Sequence, residues 1–347
     1  MEKERYLDLM SETSAKVYPL LDKEVGEYAS VDPSLYSDLS FLYEQRRGKK
    51  LLKPTLFRLA YELCGGQDFD SVKGLAAAFE ALNISSYQAN AAFDNKMGML
   101  DKEKKDCQFI ASMLSLEIAR RLISSCAASI PEATLLRIQE CLSISNLNIY
   151  KAQYYDLELL SEAHYDRYQA SGELFERDYH LRCFFGSGVF TGQTALAGAI
   201  AANASPEQQE ALRQFGEIYG TALHRINDFA DFVPGPERCD KLYQDNYSDI
   251  RNGRLTLPAY VLHKQYKDQY DEILSILRRT GGNEVSDRIT QIISSTTIPA
   301  LVIESAEKAY LAAKQALNIF DASVPKQMLF TLISVLKSNK FFHRVQV

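Results

Sequence analysis

Asn227, Asp228 and Asp231 stand at i, i+1 and i+4 in a stretch with helical periodicity, so Asn227 and Asp231 fall one turn apart with Asp228 beside them. Oxygen ligands in that pattern suit a divalent cation of the Mg²⁺ type, which binds carboxylates and water and bridges them to substrate phosphates. The same spacing also serves a solvated helix face, and spacing alone leaves both readings open. One turn earlier, His224 can take up a proton or a hydrogen bond near the same place. Upstream, Lys50 and Lys53 offer fixed positive charge for phosphate oxygens, or else sit as surface lysines at a helix start.

The elements that must position these residues are helices. Apolar residues recur at spacings of three and four, as in Leu51, Leu52, Leu56, Leu59, Ala60 and Leu63, closed by Gly65-Gly66. Further helices are expected at about 4 to 29, 70 to 98, 106 to 126, 131 to 160, 176 to 202, 206 to 232, 256 to 276, 283 to 295, 298 to 318 and 324 to 340. Ser205-Pro206 reads as a helix start, and Asp68 or Asp70 can cap the next segment. Strand signals are nearly absent, no repeat period appears and no linker divides the chain, so one all-α domain over residues 1–347 is expected.

Composition narrows the function classes. With 46% hydrophobic and 24% charged residues, the 347-residue chain can bury a large core. A net charge of −6 with interleaved signs gives no basic stripe for nucleic acid. The apolar runs near Leu75 to Ile84 and Thr194 to Ala202 are shorter than the roughly 20 residues of a membrane helix. Six cysteines without CxxC spacing read as reduced thiols, and the mixed-charge N-terminus is unlike a secretory signal, so a cytoplasmic protein is expected.

Around the acidic cluster the order of motifs is specific. The segment Phe215-Gly216, Gly220, Ala222 and Asn227 to Asp231, followed by Asp249-Ile250-Arg251-Asn252-Gly253-Arg254-Leu255-Thr256-Leu257-Pro258, resembles the second acidic motif (DDxxD) and the DLxxGKxTLP run of the trans-prenyltransferases, the polyprenyl diphosphate synthases. Gly48 to Pro54 is similar to that family's GKRxRP, and Ala152 to Glu158 to its GQxxDLE. The resemblance covers roughly residues 45 to 260. It implies a helical bundle of the isoprenoid (terpenoid) synthase type around a central cavity, with metal and diphosphate at its mouth.

On that resemblance Asn90, Asp94, Asn227, Asp228 and Asp231 would hold Mg²⁺. Lys50, Lys53, Lys241 and Arg254 would meet diphosphate, Gln153 would sit near the reacting carbon, and Tyr87, Phe93, Tyr154 and His224 would line the cavity. Aromatic faces there could stabilise a carbocation. The pattern also departs from the family. Its first DDxxD becomes Asn90-Ala91-Ala92-Phe93-Asp94, the following RRG is missing, Gly186-Ser187-Gly188 stands at its KTG, and Asn83 at its pocket histidine. Three of six family carboxylates remain, and because a unit charge pair at 4 Å is worth about 4 kcal/mol at a dielectric near 20, Mg²⁺ is expected to bind weakly. The expected activity is Mg²⁺-dependent ionisation of an allylic prenyl diphosphate with prenyl transfer, with isopentenyl diphosphate as second substrate. The alternatives are a terpene cyclase and a non-catalytic regulatory or partner subunit. The resemblance further implies a homodimer.

Overall fold

The computed structural model describes residues 2–48, 51–94, 102–233, 246–280 and 286–337. These form helices α1 (Glu2–Gly26), α2 (Pro33–Arg46), α3 (Leu52–Leu63), α4 (Phe69–Asp94), α5 (Lys102–Ser124), α6 (Glu132–Tyr154), α7 (Tyr165–Ala170), α8 (Gly172–Cys183), α9 (Val189–Ala201), α10 (Pro206–Phe232), α11 (Ser248–Arg251), α12 (Leu257–Gln265), α13 (Lys267–Thr280), α14 (Asp287–Ser294), α15 (Ile298–Ala316) and α16 (Val324–Ser334). Among the described residues there is no strand, only an isolated bridge between Ser161 and Arg254. The all-α expectation holds. No described helix is long and apolar enough to cross a membrane.

Helix boundaries follow local chemistry. At the start of α10 the Ser205 hydroxyl accepts from the Gln208 N–H while the Gln208 side chain accepts from the Ser205 N–H, and Pro206 occupies the first turn. Asp68 accepts from the Asp70 N–H at the head of α4, and α3 stops before Gly65, whose φ of +92° suits glycine.

Three expected helices differ, and one helix was not expected. The stretch 176–202 divides into α8 and α9 around a π-helical turn, Phe184–Gly188, and 131–160 ends in another, Tyr155–Leu159. The stretch 256–276 breaks at Tyr266, which leaves helical geometry (φ −136°, ψ 52°) while its hydroxyl accepts from the Thr297 N–H. Helix α2 was not expected, although Asp32 caps it through the Ser34 and Leu35 N–H groups.

Helix α9 is apolar on all sides and almost every residue in it is buried, the signature of a central helix. Its Ala195 and Ala199 pack into one core with α10, α15 and α16, whereas Phe190, Ala197 and Ile200 pack into another with α1, α4, α5 and α6. Helix α3 divides likewise, with Leu56 and Leu59 on one side and Phe57 and Tyr61 on the other. These two helices thus form a wall shared by both cores.

The motif glycines set the distance between α9 and α10. A Cβ on Gly216 would lie 2.6 Å from the Thr191 carbonyl oxygen and 2.7 Å from the Gly192 Cα, and one on Gly220 would lie 2.4 Å from the Ser187 carbonyl oxygen. Backbone atoms cannot rotate aside as a side chain can. Gly216→Ala is therefore expected to cost about 1–3 kcal/mol in urea denaturation. Gly26→Ala, where nothing lies within 4 Å, is the matched control and should leave the midpoint close to the wild type.

Candidate functional site

The ends of α6, α8 and α10 meet at the two π-helical turns, which insert an extra residue into a helical turn and re-aim the side chains that follow. The turns touch through Tyr155 and Phe185, edge to face at 5.9 Å. His224 packs on Gly186, where a Cβ would come within 2.8 Å of its ring. An aromatic cluster of Tyr168, Phe175, Tyr179 and Tyr260 supports α8 from below, with Phe175 and Tyr260 stacked at 3.7 Å.

Asp228 is buried, and its Oδ2 accepts from the Tyr179 hydroxyl at 2.8 Å and from Arg182 Nη1 at 2.5 Å. The same Arg182 donates through Nε to Asp156 Oδ1 at 2.6 Å. His224 Nε2 stands 3.9 Å from Asp228 Oδ1. Burial pushes the Asp228 carboxyl up, against the opposing pull of Arg182, and pushes the Tyr179 hydroxyl well up so that it remains a donor. Arg182 and Tyr179 are the site residues that the sequence reading missed. An arginine followed by the apolar run of α9 was the available signal, because a charge so placed needs a partner.

Asp231 has a different task. Its Oδ2 accepts from the Asp249 N–H at 3.0 Å and its Oδ1 from the Ser248 hydroxyl at 3.5 Å, which fastens the head of α11. The motif that follows returns to α6. Arg254 is buried and donates to the Asp156 carbonyl, Leu255 N–H donates to Leu160, and Glu162 N–H donates to Gly253, whose φ of +62° favours glycine. Arg254 thus faces the Asp156 backbone, where a diphosphate contact was expected.

On α4, Asn90 Oδ1 accepts from the Gln153 amide, while the buried Gln153 Oε1 has no hydrogen-bond partner among the described residues. That oxygen is an acceptor available to a bound molecule. Asn227 is exposed, one helical turn before the buried Asp231 on α10. Tyr154 is 58% exposed on the outside of α6. Tyr87 and Phe93 are each a little over one third exposed, Tyr87 beneath the Arg46 guanidinium at 5.1 Å and Phe93 against Phe109 at 5.7 Å. Lys50, Lys241 and the side chain of Asp94 lie outside the described residues.

A second polar group surrounds Glu80, which is fully buried in the otherwise apolar run of α4. Arg46 Nε lies 2.6 Å from one of its oxygens, and Asn83 donates to the other at 3.3 Å. Nearby, Lys53 is neither a surface lysine nor open to a diphosphate. Its amine is buried, donates to the Thr191 hydroxyl at 2.5 Å and lies 4.3 Å from the centre of the Phe190 ring. Burial lowers it to about 7.

The described residues do not fit a divalent ion as they stand. No group of three or more acidic, histidine or cysteine side chains among them is arranged to hold one. Asp228 is engaged by Arg182 and Tyr179, and Asp231 by the start of α11.

Residues 108–295 match the family model described as polyprenyl synthetase. The octaprenyl diphosphate synthase of Haemophilus influenzae is 24% identical over 323 residues, covering 87% of each chain. A polyprenyl synthase of Caulobacter crescentus, solved with calcium and isoprenyl diphosphate, superposes with a TM-score of 0.77 at 20% identity over 97% of this chain and 98% of that one. A geranylgeranyl pyrophosphate synthase of Corynebacterium glutamicum, solved with isoprenyl diphosphate and magnesium, gives 0.76 at 15% identity over 94% of this chain and 99% of that one. With the motif glycines at the α9/α10 contact and the Asp249 to Pro258 run folded back onto Asp156, the chain belongs to the polyprenyl synthetase family.

Proposed function

We propose that this chain is a prenyltransferase of the polyprenyl diphosphate synthase type, acting on an allylic prenyl diphosphate with isopentenyl diphosphate as second substrate. The observation that carries the reading is the family match over a fold in which α4, α6, α8 and α10 converge on Gln153, Asp156, Arg182 and Asp228. Allylic ionisation releases diphosphate, whose growing negative charge must be met by positive groups already in place. Mg²⁺ belongs to this proposal through the family, but the described carboxylates do not fit it and no step here runs through it.

One observation favours a second reading, a non-catalytic regulatory or partner subunit: Asp228 Oδ2 already accepts from both Arg182 and Tyr179. Product analysis separates the two. Incubation with geranyl, farnesyl or geranylgeranyl diphosphate should yield longer diphosphates only when isopentenyl diphosphate and Mg²⁺ are supplied. Hydrocarbons formed without isopentenyl diphosphate would instead mean cyclisation. No product from any of these substrates with isopentenyl diphosphate and Mg²⁺ would reject the prenyltransferase reading.

The reading extends to assembly and place. A homodimer is supported by Phe109, Ile110 and Met113, exposed at i, i+1 and i+4 of α5 as an apolar face of the kind that a second subunit covers. A single domain is supported by the wall that α3 and α9 share between both cores. A cytoplasmic setting is supported by the free thiols of Cys64, Cys107, Cys126, Cys141 and Cys183.

A further inference from the structure

We propose that Arg182 is the resident cation of this site, a covalently tethered guanidinium standing where a divalent ion would otherwise balance Asp156 and Asp228. Its side chain is 6% exposed and joins three elements, with its own helix α8 between the turn after α6 and helix α10. Nε serves Asp156 and Nη1 serves Asp228, so one guanidinium neutralises carboxylates from two directions. The Tyr179 hydroxyl takes a further position on the same Asp228 oxygen. Both hydrogen bonds fall on Oδ2; an ion approaching Asp228 through Oδ1 would still have to shed tightly held water beside the fixed positive charge of Arg182, with His224 Nε2 3.9 Å from that oxygen.

The tether changes what holds the site together. A bound ion is present only at sufficient concentration and is removed by a chelator, whereas Arg182 is always in place. The segment Asp249 to Pro258 closes over Asp156 through Arg254 and over Asp231 through the Asp249 N–H, and neither contact passes through a metal. The inference stands on ion-pair geometry and does not require turnover, so failure of the product assay would leave it intact.

Mn²⁺ is the probe, with thermal unfolding and calorimetry on the full chain as readouts. Wild type and Asp228→Asn are expected to respond alike between chelator and millimolar Mn²⁺. Arg182→Ala, which opens room for a hydrated ion between the two carboxylates, should gain several degrees in Tm from Mn²⁺, and the gain should vanish in Arg182→Ala/Asp228→Asn. If Arg182→Ala is unfolded in chelator, recovery of its helical circular dichroism on adding Mn²⁺ is the same expected result. Two outcomes overturn the proposal: Mn²⁺ stabilisation of the wild type that Asp228→Asn removes, or an Arg182→Ala chain, folded or not, to which Mn²⁺ does nothing.

Discussion

Arg182→Met is expected to lower the unfolding free energy by about 3–5 kcal/mol at neutral pH, the usual range for removing one partner of a buried ion pair. The methionine fills much of the space, so the loss is chiefly electrostatic. Asp228, 4% exposed, keeps Tyr179 as its strong donor but loses its counter-charge. Asp156 is partly exposed and can turn to water. Adding Asp228→Leu to Arg182→Met should recover part of the loss, because the stranded charge is then gone, and a double-mutant cycle reads this as coupling.

The pH dependence has a definite sign. Burial already raises the Asp228 carboxyl, and losing Arg182 raises it further. A carboxyl raised in the folded state makes that state bind protons more readily than the unfolded chain. Its unfavourable effect is thus largest at neutral pH and shrinks as the pH falls through the folded value. The deficit of Arg182→Met, measured by urea denaturation at pH 5 and pH 7.5, should be the smaller at pH 5. A deficit under about 1 kcal/mol at both would mean that the pair behaves as a screened surface bridge.

Lys53→Met is expected to stabilise the protein at pH 6, by about 2–4 kcal/mol, with the advantage fading toward pH 10. The amine is lowered from 10.5 to about 7 by burial against Phe190 and Thr191. Between those values the unfolded chain binds the proton and the folded chain does not, so wild-type stability rises with pH across that window. Below about 7 both states are charged and the cost of burying the ammonium is fully present. Glu80 keeps Arg46 and Asn83 when Lys53 is replaced. Equal destabilisation of Lys53→Met at pH 6 and pH 9.5 would show instead that the amine stays charged and well paired.

The sequence by itself determined what depends on neighbours along the chain. Spacings of three and four defined α3 and α10, Ser205-Pro206 placed the head of α10 to the residue, and Gly65 ended α3. Helix α2 was equally legible although it was not expected: Leu35, Tyr36, Leu39, Leu42 and Tyr43 stand at i, i+1, i+4, i+7 and i+8 on one face, behind an Asp32-Pro33 start. The order of motifs in the chain also carried the family.

What only the tertiary structure decided is how those motifs are used. Arg182 meets Asp156 across 26 positions and Asp228 across 46, and Arg46 meets Glu80 across 34. No periodicity encodes such partners, because they are set by packing between helices. The two π-helical turns were hidden for a similar reason: one extra residue in a turn leaves composition and capping unchanged but swings every later side chain by about 100°. The carboxylates of the second acidic motif were legible as residues, but their commitment to an arginine and to the head of α11 arises where α6, α8 and α10 come together.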